Sequence, residues 1–264
     1  MGTGIEPLHS EDYDIDVGLN FHLSRNDYSP VQVKQWVYEA LQSGNRTVEY
    51  KRPCVRVQYH RAGGVLYHVD LAIYSGHAYN RDNRTYLAKG FIGSGPADKI
   101  WEVAEPKRLM ETFQQKFQYQ DGHREHFRRV IRFLKRWKDV NFSTNGNERP
   151  TGIAMTACAL NWFRVGTRYN LPDGKHYYDD LTALKNLAGS ILNQFDFGNR
   201  ISIHLPVAPY NNLFEKMSDK QMQNFKIKLA GLISVHLRNA EEAPNAFLAC
   251  SALRHAFGND FPLP

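Results

Sequence analysis

Two stretches near the N-terminus alternate strictly between apolar and polar positions. In the first, Tyr13, Ile15 and Val17 share one parity, and Asp14 and Asp16 share the other. In the second, Val65, Tyr67, Val69, Leu71 and Ile73 are apolar, and Asp70 stands on the opposite parity. Side chains of a strand alternate between faces, so both stretches predict strands with one apolar face and one carboxylate-bearing face. Residues 54–60 alternate as well, and Ala62-Gly63-Gly64 between the two runs predicts a hairpin. Ser29-Pro30 supplies a cap and a first-turn proline for a helix whose stripe is Val33, Trp36, Val37 and Leu41. That helix is expected to stop near Ser43-Gly44-Asn45. Residues 76–98, rich in Gly, Asn, Arg and Asp, read as a loop with a short strand near 86–91.

Beyond Pro106 the period changes to that of helices. Pro106 opens one that runs to about 119. Residues 123–140 place Phe127, Val130, Ile131, Leu134 and Trp137 on one face and Arg128, Arg129, Arg132 and Arg136 on the other. A polar loop at 143–149 precedes Pro150 and a mostly apolar helix to about 163. Further helices are expected at roughly 179–195, 218–240 and 243–257. The pattern predicts an α+β chain with two parts: a mixed α/β half over 1–120 and an all-helical half over 121–264. A substrate cleft is expected between them. No internal repeat or low-complexity tract interrupts this division.

The chain has 264 residues, and its formal net charge of +6 favours an anionic partner: a nucleotide, a nucleic acid or a membrane surface. Cys54, Cys158 and Cys250 are far apart and form no C-x-x-C pair. That argues against a disulfide framework or a cysteine-rich zinc site and for a reducing, cytoplasmic setting. No apolar run approaches the roughly 18 residues of a membrane span, and no membrane partner is expected. The first residues lack the basic and apolar regions of a signal peptide.

Asp14, Asp16 and Asp70 carry the chemistry. Three carboxylates beside one sheet repel one another unless a divalent cation sits among them, and hard oxygen ligands suit Mg²⁺ or Mn²⁺, which also bind substrate phosphates. The bland alternative is a set of ordinary surface carboxylates near strand ends. His123 and His126 have helical i, i+3 spacing but no third ligand nearby, so no metal is expected there. Tyr177, Tyr178 and Tyr210 could stack on a base, although rim packing explains them as well. The arginines of 123–140 read mainly as a solvated face.

Several segments together resemble the bacterial cGAS/DncV-like nucleotidyltransferases (CD-NTases) of the polymerase-beta-like superfamily. They are Gly2-Thr3, Asp12-Tyr13-Asp14-Ile15-Asp16-Val17, His68-Val69-Asp70-Leu71, Trp101 with Pro106-Lys107, Phe133 to Asp139 around Lys135, Pro150-Thr151-Gly152, Pro206 to Leu213, and Phe257-Gly258 with Phe261-Pro262. The resemblance implies a polymerase-beta-like core, a mixed sheet with helices, packed on a C-terminal helical lobe. It assigns Asp14, Asp16 and Asp70 to catalysis and to a pair of Mg²⁺ (or Mn²⁺) ions. Lys135 matches a triphosphate- or base-contacting lysine, Thr151 a hydroxyl at the nucleotide, and Asn212 a polar residue reading a purine edge. Substrates would be NTPs (ATP, GTP or a pyrimidine NTP), and the product a cyclic di- or trinucleotide second messenger of antiphage (CBASS) defence. CBASS accessory proteins are then possible partners, while nucleic acid is neither required nor excluded. The family also carries an N-terminal helix and a Gly-Ser pair upstream of the position of Gly2-Thr3. The resemblance therefore leads one to expect an N-terminally incomplete core, with two alternatives: a nucleotide-binding module impaired in turnover, or a single transfer to RNA, a small molecule or a protein.

Overall fold

The computed structural model describes residues 13–42, 46–61, 64–117, 120–144 and 148–264. Gly2-Thr3, Glu11-Asp12, Ser43-Gly44-Asn45 and Ala62-Gly63, where a turn is expected, lie outside the described residues. The described chain divides into two units. One holds 13–109 with Val207–Pro209; the other holds Met110–Pro206 and Tyr210–Pro264. The division thus falls inside a helix, α2 (Pro106–Gln115), slightly before the expected 120/121 boundary.

In the first unit the four predicted strands and two that were not predicted, at Thr47–Tyr50 and Ile100–Val103, form a six-stranded mixed sheet. Its path is β2 (Thr47–Tyr50), β3 (Val55–Arg61), β4 (Gly64–Ser75), β5 (Tyr86–Lys89) and β6 (Ile100–Val103), and β1 (Tyr13–Phe21) adds to β4. All neighbours are antiparallel except β1, which runs parallel to β4 from Tyr13 opposite Tyr67 to Phe21 opposite Ser75. Helix α1 (Pro30–Leu41) packs its Val33 and Val37 on Val55, Ile73 and Ala88 of the sheet. Ser29 caps α1 by accepting from Gln32 N at 3.2 Å, and Pro30 needs no donor partner in the first turn.

Two residues of α1 depart from the predicted stripe. Trp36 is exposed, edge-on to Tyr28 at 5.1 Å. Lys34 is fully buried instead. Its ammonium donates to three carbonyls, Lys51 (2.6 Å), Arg52 (2.9 Å) and Gly90 (2.8 Å), and burial pulls its pKa down to about 8. A buried cation persists only when its donors are all used. Here they tie α1 to the segment that leads into β3 and to the residue that follows β5.

The second unit is built on α3 (Asp121–Asn141), whose Phe127, Val130, Ile131, Leu134 and Trp137 are buried as predicted. Around it lie α4 (Gly152–Trp162), α5 (Asp180–Leu192), α6 (Asp219–Gly231) and α8 (Ala246–Phe257). A π-helical turn, Leu232–Leu237, leads from α6 into the short α7 (Arg238–Glu241). This half is not all-helical: β7 (Thr167–Asn170) and β8 (Lys175–Tyr178) form an antiparallel hairpin. Seven of its eight strand residues are exposed, so no apolar alternation marked it in the sequence. Tyr178 stacks on His126 at 5.0 Å, and a Cβ on Gly122 would meet the Tyr178 hydroxyl, so α3 has glycine in its first turn where the hairpin crosses. The arginine face of α3 is partly structural. Arg129 pairs with Asp180 through two hydrogen bonds (2.8 and 3.0 Å), and Arg136 reaches the Phe257 carbonyl (3.1 Å) and Asp260. Among the described residues no helix is long and apolar enough to cross a membrane.

Candidate metal and nucleotide site

The parallel register of β1 and β4 sets Asp14 opposite His68 and Asp16 opposite Asp70. Within each strand the two residues are separated by one apolar residue, so all four side chains rise from one face of the sheet. The antiparallel register of β3 adds Arg56 opposite Asp70 on the same face. An oxygen of Asp14, an oxygen of Asp70 and a ring nitrogen of His68 lie within 4.8 Å of one another. Asp16 stands outside that tight group, beside Asp70 in the ladder.

The four polar groups are held differently. Arg56 clamps Asp70 at both oxygens, Nε to Oδ1 and Nη2 to Oδ2, each at 2.7 Å. Burial pushes the Asp70 carboxyl up, but the Arg56 guanidinium, the Cys54 thiol that donates to it and the nearby His68 outweigh burial and hold it below the usual carboxylate value. Asp16 goes the other way. Partial burial, then repulsion from Asp14 and Asp70, raise its pKa, and His68 and Arg56 only partly offset this. Asp14 is about half exposed, and its Oδ1 lies 3.0 Å from His68 Nε2. That contact is within ion-pair reach yet misses hydrogen-bond geometry, so the buried Nε2 makes no hydrogen bond.

These observations fit a divalent cation. The carboxylates converge with mutual repulsion only partly offset at Asp16, and a buried ring nitrogen of His68 lies among them without a hydrogen bond. Carboxylate-rich groups of this kind suit Mg²⁺ or Mn²⁺. Sequence reasoning named the three aspartates but missed His68 and Arg56. The available signal was parity: His68 is two residues before Asp70, and Arg56 is on the polar parity of the adjoining hairpin strand.

The family model for the nucleotidyltransferase domain of cyclic GMP-AMP synthase DncV-like proteins matches residues 1–74, a span that includes Asp14, Asp16, Arg56, His68 and Asp70. Over those residues the chain is similar to a DncV-like nucleotidyltransferase domain. Its fold is also that of solved DncV structures. Vibrio cholerae DncV cyclic AMP-GMP synthase, in complex with the linear intermediate 5′ pppA(3′,5′)pG, is 21% identical with a TM-score of 0.71 over 98% of this chain and 67% of that one. The V. cholerae enzyme with ATP, GTP and 5MTHFGLU2 is 21% identical with a TM-score of 0.69, covering 97% and 67%. Escherichia coli DncV bound to 3′-deoxy GTP is 20% identical with a TM-score of 0.68, covering 96% and 65%. At these identities the likeness establishes the fold. The chain spans about two thirds of the length of these DncV chains.

The other predicted site residues belong to the second unit, outside the span of the DncV-like domain match. Lys135 and Thr151 are near one another: a Cβ on Gly152 would sit 3.7 Å from Lys135 Cε. Burial and the nearby Lys138 pull the Lys135 pKa down to about 8, with Asp139 opposing, so it remains largely cationic at neutral pH. Thr151 is the exposed N-cap of α4 and accepts from Ala154 N at 3.3 Å. Asn212 Oδ1 accepts from Ile203 N (3.3 Å) and Phe214 N (3.1 Å), which fixes the loop around the His204–Asn212 bridge. Its oxygen therefore has a loop-bracing task, whatever else the residue does. His126 is excluded as a ligand: Nδ1 bonds Asp180 at 2.7 Å and Nε2 accepts from Gly166 N at 3.2 Å. Tyr210 is exposed with φ of 57°, while Tyr178 is committed to His126.

Proposed function

We propose that the protein is a divalent-metal-dependent nucleotidyltransferase that makes a cyclic di- or trinucleotide from NTPs, as a cytosolic enzyme of antiphage defence. The observation that carries this reading is the in-register square of Asp14, Asp16, His68 and Asp70 within a DncV-like domain. The cyclic AMP-GMP synthase activity and the ATP and GTP complexes of the V. cholerae protein support it by analogy. Three free cysteines suit a reducing compartment.

In the proposed reaction, an acceptor ribose hydroxyl attacks the α-phosphorus of a bound NTP. An O–P bond forms, the α–β bridging P–O bond breaks, and pyrophosphate leaves. Asp14 and Asp16 would hold a cation on the triphosphate side, and Asp70 would share one on the hydroxyl side. When bound, the cation neutralises phosphate charge and lowers the pKa of the attacking hydroxyl. Arg56 keeps Asp70 ionised and fixes both its oxygens, so the carboxylate is oriented before substrate arrives. Lys135 offers a point charge to phosphate, and Thr151 its hydroxyl, from the start of α4. No covalent enzyme intermediate is needed, so positioning and electrostatics carry the catalysis.

Incubation with radiolabelled NTPs and Mg²⁺ or Mn²⁺ tests the proposal. The expected products are pyrophosphate and a nucleotide that resists phosphatase because it has no terminal phosphate. A linear, phosphatase-sensitive product would instead show single transfer. NTP binding without any product would identify a binding module and overturn the enzyme reading.

A further inference from the structure

We propose that His68 is itself a ligand of the metal site and that its nitrogen tilts the choice of ion toward Mn²⁺ over Mg²⁺. This rests on the metal-dependent reading above and deepens it. The backbone alone brings His68 to the site: it lies opposite Asp14 in the β1–β4 ladder and two residues from Asp70 on the same face. The side chain is 12% exposed, and Nε2 is buried with no hydrogen-bond partner although Asp14 Oδ1 is only 3.0 Å away.

Buried ring nitrogens normally find a partner. A histidine whose task was to brace Asp14 would aim an N–H along that 3.0 Å contact. The observed geometry instead leaves Nε2 close to the carboxylate oxygens without forming that bond. With the ring proton on Nδ1, Nε2 presents a lone pair to the space that the oxygens of Asp14 and Asp70 also face. Among the described residues, no other group of His, Cys, Asp and Glu converges in this way. The donor set of two carboxylates and an imidazole is softer than the all-oxygen set Mg²⁺ demands. Mn²⁺ accepts oxygen readily and stands above Mg²⁺ in tolerance for imidazole.

The test uses Mn²⁺ alone as probe, with no nucleotide and no turnover. Electron spin-echo spectra of Mn²⁺ bound to the native chain should show modulation from a directly bonded ¹⁴N. His68→Gln, which keeps a polar side chain but no imidazole, should bind Mn²⁺ with that modulation lost. Its ratio of Mg²⁺ to Mn²⁺ dissociation constants should fall roughly tenfold or more, the order expected for disturbing a metal's immediate surroundings. If His68→Gln melts abnormally, His68→Asn is the second variant. Bound Mn²⁺ without nitrogen modulation in the native chain overturns the proposal while leaving the carboxylate site standing, and this outcome needs no variant. Modulation that persists in a folded variant overturns it too. Failure of the native chain to bind Mn²⁺ at all removes the metal-dependent reading beneath it.

Discussion

The protein builds two clusters from nearly the same parts, and they finish in opposite states. In the sheet unit, Asp14, Asp16, Asp70, His68 and Arg56 meet on one face. In the helical unit, Asp180 joins His126 and Arg129. The second cluster is closed. Arg129 takes both Asp180 oxygens, and His126 spends one ring nitrogen on Asp180 and the other on the Gly166 amide. Burial keeps that imidazole pKa below its ordinary value, in keeping with a neutral ring. The first cluster is satisfied only at Asp70. Asp14 stays half exposed, Asp16 is held against repulsion, and His68 Nε2 has no bond. Composition is therefore a poor guide to which cluster binds something. What separates them is whether the lone pairs are already used.

The largest expected effect falls on the open cluster. Asp14→Ala should cut pyrophosphate release from NTPs by at least roughly a hundredfold, the scale of losing one charge-stabilising group. Its melting temperature should barely move, because Asp14 is exposed and bonds nothing that would be stranded. Steady-state release and a melting curve check both halves. Undiminished activity would break the comparison, since the open cluster would then be no more functional than the closed one.

The closed cluster should respond the other way. Asp180→Ala strips a carboxylate from a buried imidazole and a guanidinium, at a cost of about 2 kcal/mol. For a chain of this size that is a fall of about 4–8 °C in melting temperature. Mn²⁺ binding at the sheet unit should be unchanged in the folded variant. A variant that melts normally but loses the metal would reverse the roles assigned to the two clusters.

The two clusters also differ in how far the sequence announced them. Asp14-Ile15-Asp16 and Asp70 stand in strands whose alternation is clean, so their common face could be read directly. The cap at Ser29, the buried stripe of α3 and the helix after Pro150 were equally open to pattern. His68 and Arg56 were not, because their meaning lies in register. Only pairing β4 with β1 on one side and β3 on the other turns polar positions on three separate strands into one site. Lys34 escaped for a related reason: its three carbonyl partners come from 51, 52 and 90, and no local pattern foretells a buried cation. The hairpin of β7 and β8 escaped because an exposed four-residue strand has no apolar face to alternate. Asp180, His126 and Gly166 span 54 residues, so α3 and α5 must be packed before their polarity makes sense.

The smallest effect sharpens the contrast furthest. Asp16 has a raised carboxyl pKa in the folded state, through burial and then its neighbours Asp14 and Asp70. Folding therefore disfavours its charged form, and without metal the ionised side chain weakens the fold. Asp16→Asn should raise the melting temperature of the metal-free chain at neutral pH. For a surface position worth up to about 0.5 kcal/mol, the gain is about 1–2 °C. The sign follows from linkage: the gain is complete above the raised folded-state pKa, shrinks as pH falls through it, and vanishes once the carboxyl is protonated in both states, below its ordinary value of 3.8. Mn²⁺ should invert the order, because an ion that binds only the folded chain stabilises it in proportion to affinity, and the aspartate supplies the stronger ligand. Melting curves at pH 4 and 7, with and without Mn²⁺, read all of this from one pair of proteins. A closed cluster treated this way would lose stability under every condition. An open one gains stability without the ion and loses its response to it, and a variant that merely destabilised would place Asp16 with the structural carboxylates.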